Sequence, residues 1–183
     1  MHAASPCPVA RSADLLGDRW ALLIIRDAFD GVTRFSDFQR SLGAARNILS
    51  DRLRRLVEAG LLLQQPASDG SAYQQYVLTP AGRELFPVLV ALRQWGERHR
   101  FATGEAHSQL VERASGAPLP YMQPHDHTGT PLLAEQTAVR KVDIRSPEPR
   151  VPFHLSAMRR IDDPPPTAKP ARRPRMQRVA MPA

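Results

Sequence analysis

The sequence predicts a mainly α-helical protein with a small β-hairpin, arranged as a winged helix-turn-helix whose flanking helices form a dimer interface. Three observations predict this fold class. Two helical patterns separated by a glycine lie between residues 34 and 60, two strand-like segments around turn-forming residues follow, and further helical patterns lie on both sides. A reading helix after a tight turn, followed by a hairpin, is the order that this fold requires.

Two helices are predicted before the helix-turn-helix. They cover residues 8–16 and 18–29, with Gly17 between them and Asp18 placed to cap the second. In the second helix apolar residues recur at helical spacing, which predicts it as the centre of the core. These residues are Trp20, Leu22, Leu23, Ile24, Ile25 and Ala28.

The first helix of the helix-turn-helix is predicted from a capping box. Ser36 is followed three residues later by Gln39, so we expect the helix to start near Asp37. Gly43 then ends it.

The second helix is predicted from Ala45 to a C-cap at Gly60. One face carries apolar residues at helical spacing, and the opposite face carries polar and basic ones. The apolar set is Leu49, Leu53, Leu56 and Val57, and the polar set is Arg46, Asn47, Ser50, Asp51 and Arg54. By pattern alone, an ordinary helical hairpin with a solvated basic face is an equally good interpretation.

Three side chains early in the second helix are the predicted base-reading residues: Arg46, Asn47 and Ser50. Arginine suits guanine, asparagine suits adenine and serine suits either. A helix-turn-helix places the N-terminal part of its second helix in the major groove. The residues predicted to contact the DNA backbone are Arg34, Ser36, Arg52, Arg54, Ser68 and Ser71.

The hairpin, or wing, is predicted from strand-like residues 61–65 and 73–78. Between them lie the turn formers Pro66, Ser68, Asp69 and Gly70. After the wing, Thr79 is placed to cap a helix that starts at Pro80 and runs to about Phe101. Pro87 predicts a kink or a restart within it.

A stripe of large apolar residues on this last helix is typical of a helix that packs on a partner. The stripe consists of Leu85, Leu89, Leu92 and Trp95. It predicts a homodimer, with packing on residues 110–133 as the alternative. Two reading helices related by a two-fold axis would face two inverted half-sites on double-stranded DNA.

The basic charge of the chain lies mainly at its C-terminal end. Residues 146–183 hold nine of the 18 prolines and eight basic against three acidic residues, which accounts for +5 of the formal net charge of +7. Such a segment lacks the apolar periodicity that ordering requires, so we expect disorder and non-specific attraction to phosphate. The expected organisation is a DNA-binding and dimerisation domain over residues 1–104, an extension over 105–145 and the tail over 146–183.

Several function classes are disfavoured. The first residues lack a secretory signal, and the longest apolar run is too short to span a bilayer, so a cytoplasmic protein without membrane contact is expected. The sequence shows neither paired carboxylates nor a Ser/His/Asp grouping nor a nucleotide-binding loop, so we expect no enzyme and no cofactor. No pattern identifies a small-molecule effector.

Four segments resemble the HxlR-like family of winged helix-turn-helix transcriptional regulators of bacteria. They are CPVARSADLLGDRWALLIIRDAFDG (7–31), RFSDFQRSLG (34–43), LSDRLRRLVEAGLL (49–62), and YVLTPAGREL with the following RQWG (76–96). The resemblance covers about the first hundred residues. It implies binding to promoter DNA, no catalysis, and a homodimer formed by the first and last helices, so that Leu15 joins the predicted interface.

Two functions are therefore expected as alternatives. The first is a sequence-specific DNA-binding transcriptional regulator that acts as a homodimer on an inverted-repeat operator. The second is a sequence-indifferent nucleic-acid-binding protein driven by the basic tail.

The single cysteine, Cys7, is a candidate redox sensor. In some proteins that this chain resembles, a cysteine at the matching position senses oxidants or electrophiles. Here it precedes Pro8 at the start of a helix, whose positive end favours a thiolate, and Arg11 lies one turn away. The alternative is that Cys7 only packs at the dimer edge.

Some proteins of the same family carry zinc-ribbon cysteines after the last helix, and this sequence departs from that pattern. The matching positions hold Ser115 before Gly116, then His125, and Thr128 before Gly129. Without thiolate ligands we expect no metal, although His107, His125, His127 and Asp126 carry metal-binding groups. A relic hairpin over residues 121–133 is expected instead.

Overall fold

A computed structural model describes residues 5–70 and 72–141. In these ranges the elements follow the order of a winged helix-turn-helix, which confirms the predicted fold class. They are α1 (Pro8–Leu16), α2 (Arg19–Phe29), α3 (Phe35–Leu42), α4 (Arg46–Glu58), β1 (Leu62–Pro66), β2 (Gln74–Leu78), α5 (Pro80–Arg83), α6 (Phe86–His99) and the short 3₁₀ helix η1 (Ala134–Gln136).

The core forms around α2, which contacts α1, α3, α4, α6 and β2. Its inward face carries Ile24 and Ile25, both fully buried, as the apolar spacing predicted. The largest fully buried side chains from the other elements are Phe38, Leu49, Leu53, Leu56 and Leu62. The predicted cap of α2 is confirmed, because Asp18 Oδ1 accepts hydrogen bonds from the backbone amides of Trp20 (2.9 Å) and Ala21 (3.1 Å).

The start of α3 differs from the prediction. The helix begins at Phe35 after Arg34, which makes no side-chain cap, so the capping box of Ser36 and Gln39 is wrong. The reason lies in the hairpin: Arg34 forms an antiparallel bridge with Gln75, and the amide of Tyr76 donates to the carbonyl of Thr33 at 2.8 Å. This pairing holds the backbone extended up to Arg34, so the helix starts directly after it.

Gly60 ends α4 as predicted, one position beyond the C-cap residue Ala59. It has φ +71°, in the left-handed region that glycine adopts most easily. Its amide donates to Val57 O, and the amide of Leu61 donates to Leu56 O, both at 2.9 Å. These two bonds form a Schellman motif, which satisfies the last carbonyls of the helix and turns the chain into β1.

The wing is an antiparallel pair in which Leu62 lies opposite Leu78 and Pro66 opposite Gln74. Both strands match the predicted segments to within one residue. Pro66, predicted as a turn former, is instead the last residue of β1, a position at the strand end where its missing N–H costs little. Ser71 lies outside the described residues.

The predicted last helix is divided in two. Thr79 Oγ1 caps α5 by accepting a hydrogen bond from Gly82 N at 3.0 Å, and its hydroxyl donates to Gly60 O at 2.6 Å. The chain then restarts as α6 at Phe86 with Pro87 in its first turn, which is one of the two outcomes that Pro87 predicted. The helix ends at His99 rather than near Phe101.

Residues 105–141 contain two tight turns and the short helix η1, joined by backbone without regular secondary structure. Val111 pairs with Pro118 in the first turn and His125 with Pro131 in the second. The second turn corresponds to the hairpin expected over residues 121–133. The predicted tail, residues 146–183, lies outside the described residues.

Candidate nucleic-acid interface

The helix α4 separates its two faces sharply. Leu49, Leu53 and Leu56 are buried in the core. The three predicted reading residues, Arg46, Asn47 and Ser50, are exposed and belong to the first turn and a half of the helix. The fold therefore places the side chains of Arg46, Asn47 and Ser50 together on one accessible surface, the reading surface.

Arg46 is held by an aromatic contact. Its guanidinium carbon lies 5.5 Å from the centre of the Phe35 ring, which is within cation–π range. Within the described ranges Arg46 forms no ion pair with an acidic residue. Because Phe35 is the first residue of α3 and Arg46 the first of α4, this contact joins the starts of the two helices and leaves the donors of Arg46 available.

The other arginines of α4 converge on Asp51. Asp51 Oδ1 lies 2.7 Å from Arg54, and Asp51 Oδ2 lies 2.6 Å from Arg52 and 3.0 Å from Arg55. Arg54 also pairs with Glu58 at 2.7 Å. The hydrogen bond from Arg54, together with the nearby positive charges, holds the pKa of Asp51 below its usual value.

Arg52 is the most enclosed of these arginines, with 22% of its side chain exposed. Besides Asp51 it meets Asp18, the residue that caps α2. This position gives Arg52 a structural role between α4 and α2. Its contact with the DNA backbone stays a prediction.

Arg34 lies between the start of α3 and the wing. It pairs with Asp69 in the wing turn, and its guanidinium carbon lies 5.9 Å from the centre of the Tyr73 ring. Ser68 in the same turn and Ser36 in the first turn of α3 are exposed. Of the predicted backbone-contacting residues, Arg34, Ser36 and Ser68 thus lie at the start of α3 or in the wing turn, while Arg52 and Arg54 belong to α4.

Sequence reasoning missed three features of this surface. The role of Asp51 could have been inferred from sequence, since Arg54 and Arg55 follow it at the i+3 and i+4 positions that meet on a helix. The contacts of Asp18 with Arg52 and of Phe35 with Arg46 join residues from different helices. No local pattern indicates them.

The predicted dimer stripe on α6 is divided by the fold. Leu85 and Leu89 pack against the core of their own chain, and so does Leu15 of α1. Leu92 and Trp95 remain 48% and 51% exposed. The outer half of the stripe is therefore the part that a second copy could cover.

The extension packs on a different face of α6. Arg93 donates to the carbonyl of Ser108 at 2.7 Å, Gln94 Nε2 donates to the carbonyl of Pro120 at 2.9 Å, and Arg98 donates to the hydroxyl of Tyr121 at 2.7 Å. These contacts are polar and leave Leu92 and Trp95 uncovered. Leu92 lines a cavity together with Ser108 and Leu110 of the extension. Packing on residues 110–133 therefore reaches the edge of the stripe but leaves Leu92 and Trp95 about half exposed.

Cys7 is exposed and directly precedes α1. Its carbonyl accepts the amide of Arg11 at 3.2 Å, and its own amide donates to Ser5 Oγ at 3.2 Å. The guanidinium of Arg11 points to the carbonyl of Ser5, with Nε at 2.5 Å. Arg11 is thus engaged by the carbonyl of Ser5, and Cys7 lies at the N-terminus of α1.

The second turn of the extension is held by the carboxylate of Asp126. Asp126 Oδ1 accepts hydrogen bonds from the amide and hydroxyl of Thr128, at 2.8 and 2.7 Å, and from the amide of Thr130 at 2.9 Å. These bonds hold the pKa of Asp126 below its usual value, with the Thr128 side chain the largest cause. Among the described residues no group of three or more His, Cys, Asp or Glu side chains is placed to hold a metal ion.

The geometry can be compared with known proteins. The family model of the HxlR-like helix-turn-helix matches residues 15–103, which span α2 to α6. The HTH-type transcriptional regulator YybR of Bacillus subtilis is 30% identical over 95 residues, which cover 51% of this chain and 76% of that protein. The chain belongs to the HxlR-like helix-turn-helix family.

Two further relatives of this HxlR-like protein extend the comparison. Rv3095 of Mycobacterium tuberculosis, named an HTH-type transcriptional regulator, is 50% identical over 91 residues; the match covers 50% of this chain but only 58% of that protein. The crystal structure of PA1607, described as a candidate transcription factor, is 55% identical with a TM-score of 0.74 and covers 77% of this chain and 99% of its own. That coverage exceeds the family segment, so the likeness to PA1607 continues beyond α6 into the extension.

None of the helices in residues 5–70 and 72–141 has the length and hydropathy needed to cross a bilayer.

Proposed function

We propose that this HxlR-like protein is a DNA-binding transcriptional regulator and not an enzyme, and that α4 reads base edges in the major groove through Arg46, Asn47 and Ser50. The observation that carries the proposal is the division of α4, whose leucines are buried while these three side chains are exposed at its N-terminal end. That end is the part of a recognition helix that reaches the bases. The names of the relatives agree with this function.

The neighbouring surface would hold the DNA backbone. Arg34 and Ser68 flank the wing turn, Ser36 lies in the first turn of α3, and Arg54 lies further along α4. Phosphate contacts of this kind orient the protein, while base contacts supply the specificity.

The regulator would act as a homodimer on inverted half-sites. Support comes from Leu92 and Trp95, two large apolar side chains of α6 that the extension leaves half exposed. Their burial against a second copy would pair the two reading helices by a two-fold axis, which is the symmetry of an inverted repeat.

Selection of bound duplexes from a random library tests the proposal. Enrichment of one inverted repeat is the expected result, and recovery of sequences no different from the starting library would refute a sequence-specific regulator. Arg46→Ala and Asn47→Ala should each lose about 1–3 kcal/mol of discrimination against the wrong base. Arg40→Ala is the matched control, since Arg40 lies on α3 and is 79% exposed.

The alternative is sequence-indifferent binding driven by the tail, favoured by the +5 charge of residues 146–183. Deletion of these residues separates the two functions. A regulator keeps its selected site after the deletion, whereas a tail-driven protein loses its affinity for all duplexes.

We further propose that oxidants or electrophiles act through Cys7, which is exposed at the N-terminus of α1. With one cysteine in the chain, the available products are a disulfide between two subunits, a mixed disulfide with a small thiol, or a sulfenic acid. Diamide and hydrogen peroxide should change DNA binding of the wild type but not of Cys7→Ser. An equal response of both proteins would refute sensing by Cys7.

A further inference from the structure

We propose that Asp51 is a specificity-determining residue, which restrains the arginines beside the reading surface from binding DNA irrespective of its sequence. This inference rests on the proposed function, because it concerns how the same helix distinguishes one duplex from others.

Asp51 lies in the N-terminal half of α4, beside the reading residues. It follows Ser50 directly and lies one helical turn after Asn47, so its carboxylate is at the edge of the reading surface. Its side chain is 36% exposed, which leaves it open to an approaching duplex. A carboxylate at this place repels phosphate and attracts the basic side chains around it.

Three arginines of α4 contact the carboxylate of Asp51. Both carboxylate oxygens are occupied, Oδ1 by Arg54 at 2.7 Å and Oδ2 by Arg55 at 3.0 Å, with Arg52 also on Oδ2 at 2.6 Å. Arg52 has Asp18 as a second acidic partner. Arg55 pairs with Asp51 alone among the acids of the described ranges, and Arg54 is shared between Asp51 and Glu58. Loss of the Asp51 charge would therefore leave Arg54 and Arg55 with fewer competing anions.

Specific and non-specific DNA binding depend to different extents on phosphate contacts. Electrostatic neutralisation of phosphates supplies essentially all of non-specific DNA affinity, whereas a specific complex also gains from base contacts. Each of these arginines must leave a carboxylate before it binds a phosphate. A specific complex, whose register Arg46, Asn47 and Ser50 fix, needs phosphate contacts from fewer of these arginines than a complex that depends on phosphates alone. The exchange therefore weakens specific binding less than non-specific binding. The ratio of specific to non-specific affinity rises as a result.

The test is Asp51→Asn, which keeps the side-chain shape and removes the charge. The wild type and the variant are titrated with a duplex of scrambled sequence and with the duplex enriched from the random library, over a series of salt concentrations. The scrambled duplex should bind the variant about tenfold more tightly. Its salt dependence should steepen by about one phosphate contact for Arg55, which loses its acidic partner, and by up to about one more for Arg54, which keeps Glu58. The enriched duplex should gain less, so the specificity ratio falls.

The matched control is Asp37→Asn, which makes the same charge change on α3, where Asp37 pairs with Arg40 at 3.3 Å. It should leave the specificity ratio near that of the wild type. The proposal is overturned if Asp51→Asn equals this control, or if it weakens binding to the scrambled duplex, which would mean that Asp51 positions the arginines for phosphate.

A second variant keeps the restraint testable if Asp51→Asn does not fold. If the melting curve of Asp51→Asn shows an unfolded protein, Glu58→Gln tests the restraint at the exposed end of α4. It removes one of the two acidic partners of Arg54, so the salt dependence should steepen by up to about one contact. No change in salt dependence for Glu58→Gln would then reject the restraint. If the wild type enriches no sequence, the proposed specific regulator fails, while the scrambled duplex still decides whether Asp51 restrains the arginines.

Discussion

Arg52 of α4 lies against Asp18 at the start of α2, with 3.1 Å between Arg52 Nε and Asp18 Oδ2. The other oxygen of the same carboxylate accepts the first free amides of α2, those of Trp20 and Ala21. One side chain therefore caps the central helix of the core and also forms an ion pair with the reading helix. The pair is electrostatic, because Arg52 Nε makes no hydrogen bond among the described residues.

Replacement of Asp18 tests this double role. Asp18→Ala should lower the free energy of unfolding by about 1–2 kcal/mol, because it removes an N-cap and leaves Arg52 with Asp51 alone. Asp18→Asn should keep most of the cap and lose only the ion pair. Urea denaturation measures both. Asp37→Ala, which removes an exposed ion pair from α3, is the control and should change stability by less than about 0.5 kcal/mol. A cost for Asp18→Ala no larger than that of the control would contradict the role.

Gly82 and Gly96 should respond to alanine in opposite directions. A Cβ at Gly82 would lie 2.2 Å from the carbonyl oxygen of Leu61, which is backbone and cannot easily move, whereas a Cβ at Gly96 meets nothing within 4 Å. Gly82→Ala should therefore cost about 1–3 kcal/mol through overpacking. Gly96→Ala should stabilise α6 by about 0.5–1 kcal/mol, because alanine has the higher helix propensity. Thermal unfolding at one protein concentration measures both, and equal effects would argue against the close approach at Gly82.

The contact between Phe35 and Arg46 predicts a positioning role for the ring. Phe35→Leu should lower the discrimination that Arg46 provides by about 0.5–1 kcal/mol, because the guanidinium loses its cation–π partner. Phe35→Tyr keeps an aromatic face and should bind like the wild type. The measurement compares the affinities of the enriched duplex and of its single-base variants. The idea is rejected if leucine and tyrosine behave alike.

The stability of the turn that Asp126 holds in the extension should depend on pH. The pKa of Asp126 is lowered in the folded state, chiefly by the hydrogen bond from the Thr128 side chain. The carboxylate therefore contributes stability that is fully present above the unfolded pKa and is lost as pH falls through the folded pKa. The protection factors of the Thr128 and Thr130 amides, which are corrected for the intrinsic pH dependence of hydrogen exchange, should fall over that acidic range. Asp126→Asn, which keeps an acceptor oxygen but does not titrate, should show a flat profile, and a profile like that of the wild type would assign the effect to another group.

Leu92 should contribute to the proposed homodimer contact through α6. Leu92→Glu should shift sedimentation towards the monomer, because a charge would be buried in the proposed contact between two α6 helices. Leu63→Glu is a matched control, since Leu63 is 50% exposed on β1, outside the predicted interface. A dimer that survives Leu92→Glu would place the interface elsewhere.

Local patterns were sufficient for most of the fold. Asp18 before a helical apolar pattern, Gly43 and Gly60 after such patterns, and Thr79 before Pro80 each define a helix end through the nearest amides and carbonyls. The start of α3 was predicted wrongly because a distant strand decides it. Gln75 pairs with Arg34, and this pairing outweighs the local preference of Ser36 for a cap.

The sequence by itself determined the order of helices and strands, the buried face of α4, and the exposure of Arg46, Asn47 and Ser50. These features follow from caps and from apolar spacing, which act over one or two helical turns. The tertiary structure decided which residues meet across elements: Arg46 with Phe35, Arg52 with Asp18, and the division of the α6 stripe between core and surface. Such contacts depend on how helices pack, and the chain separation of the partners leaves no periodic signal. The charges around the reading surface therefore became assignable only once the helices were placed.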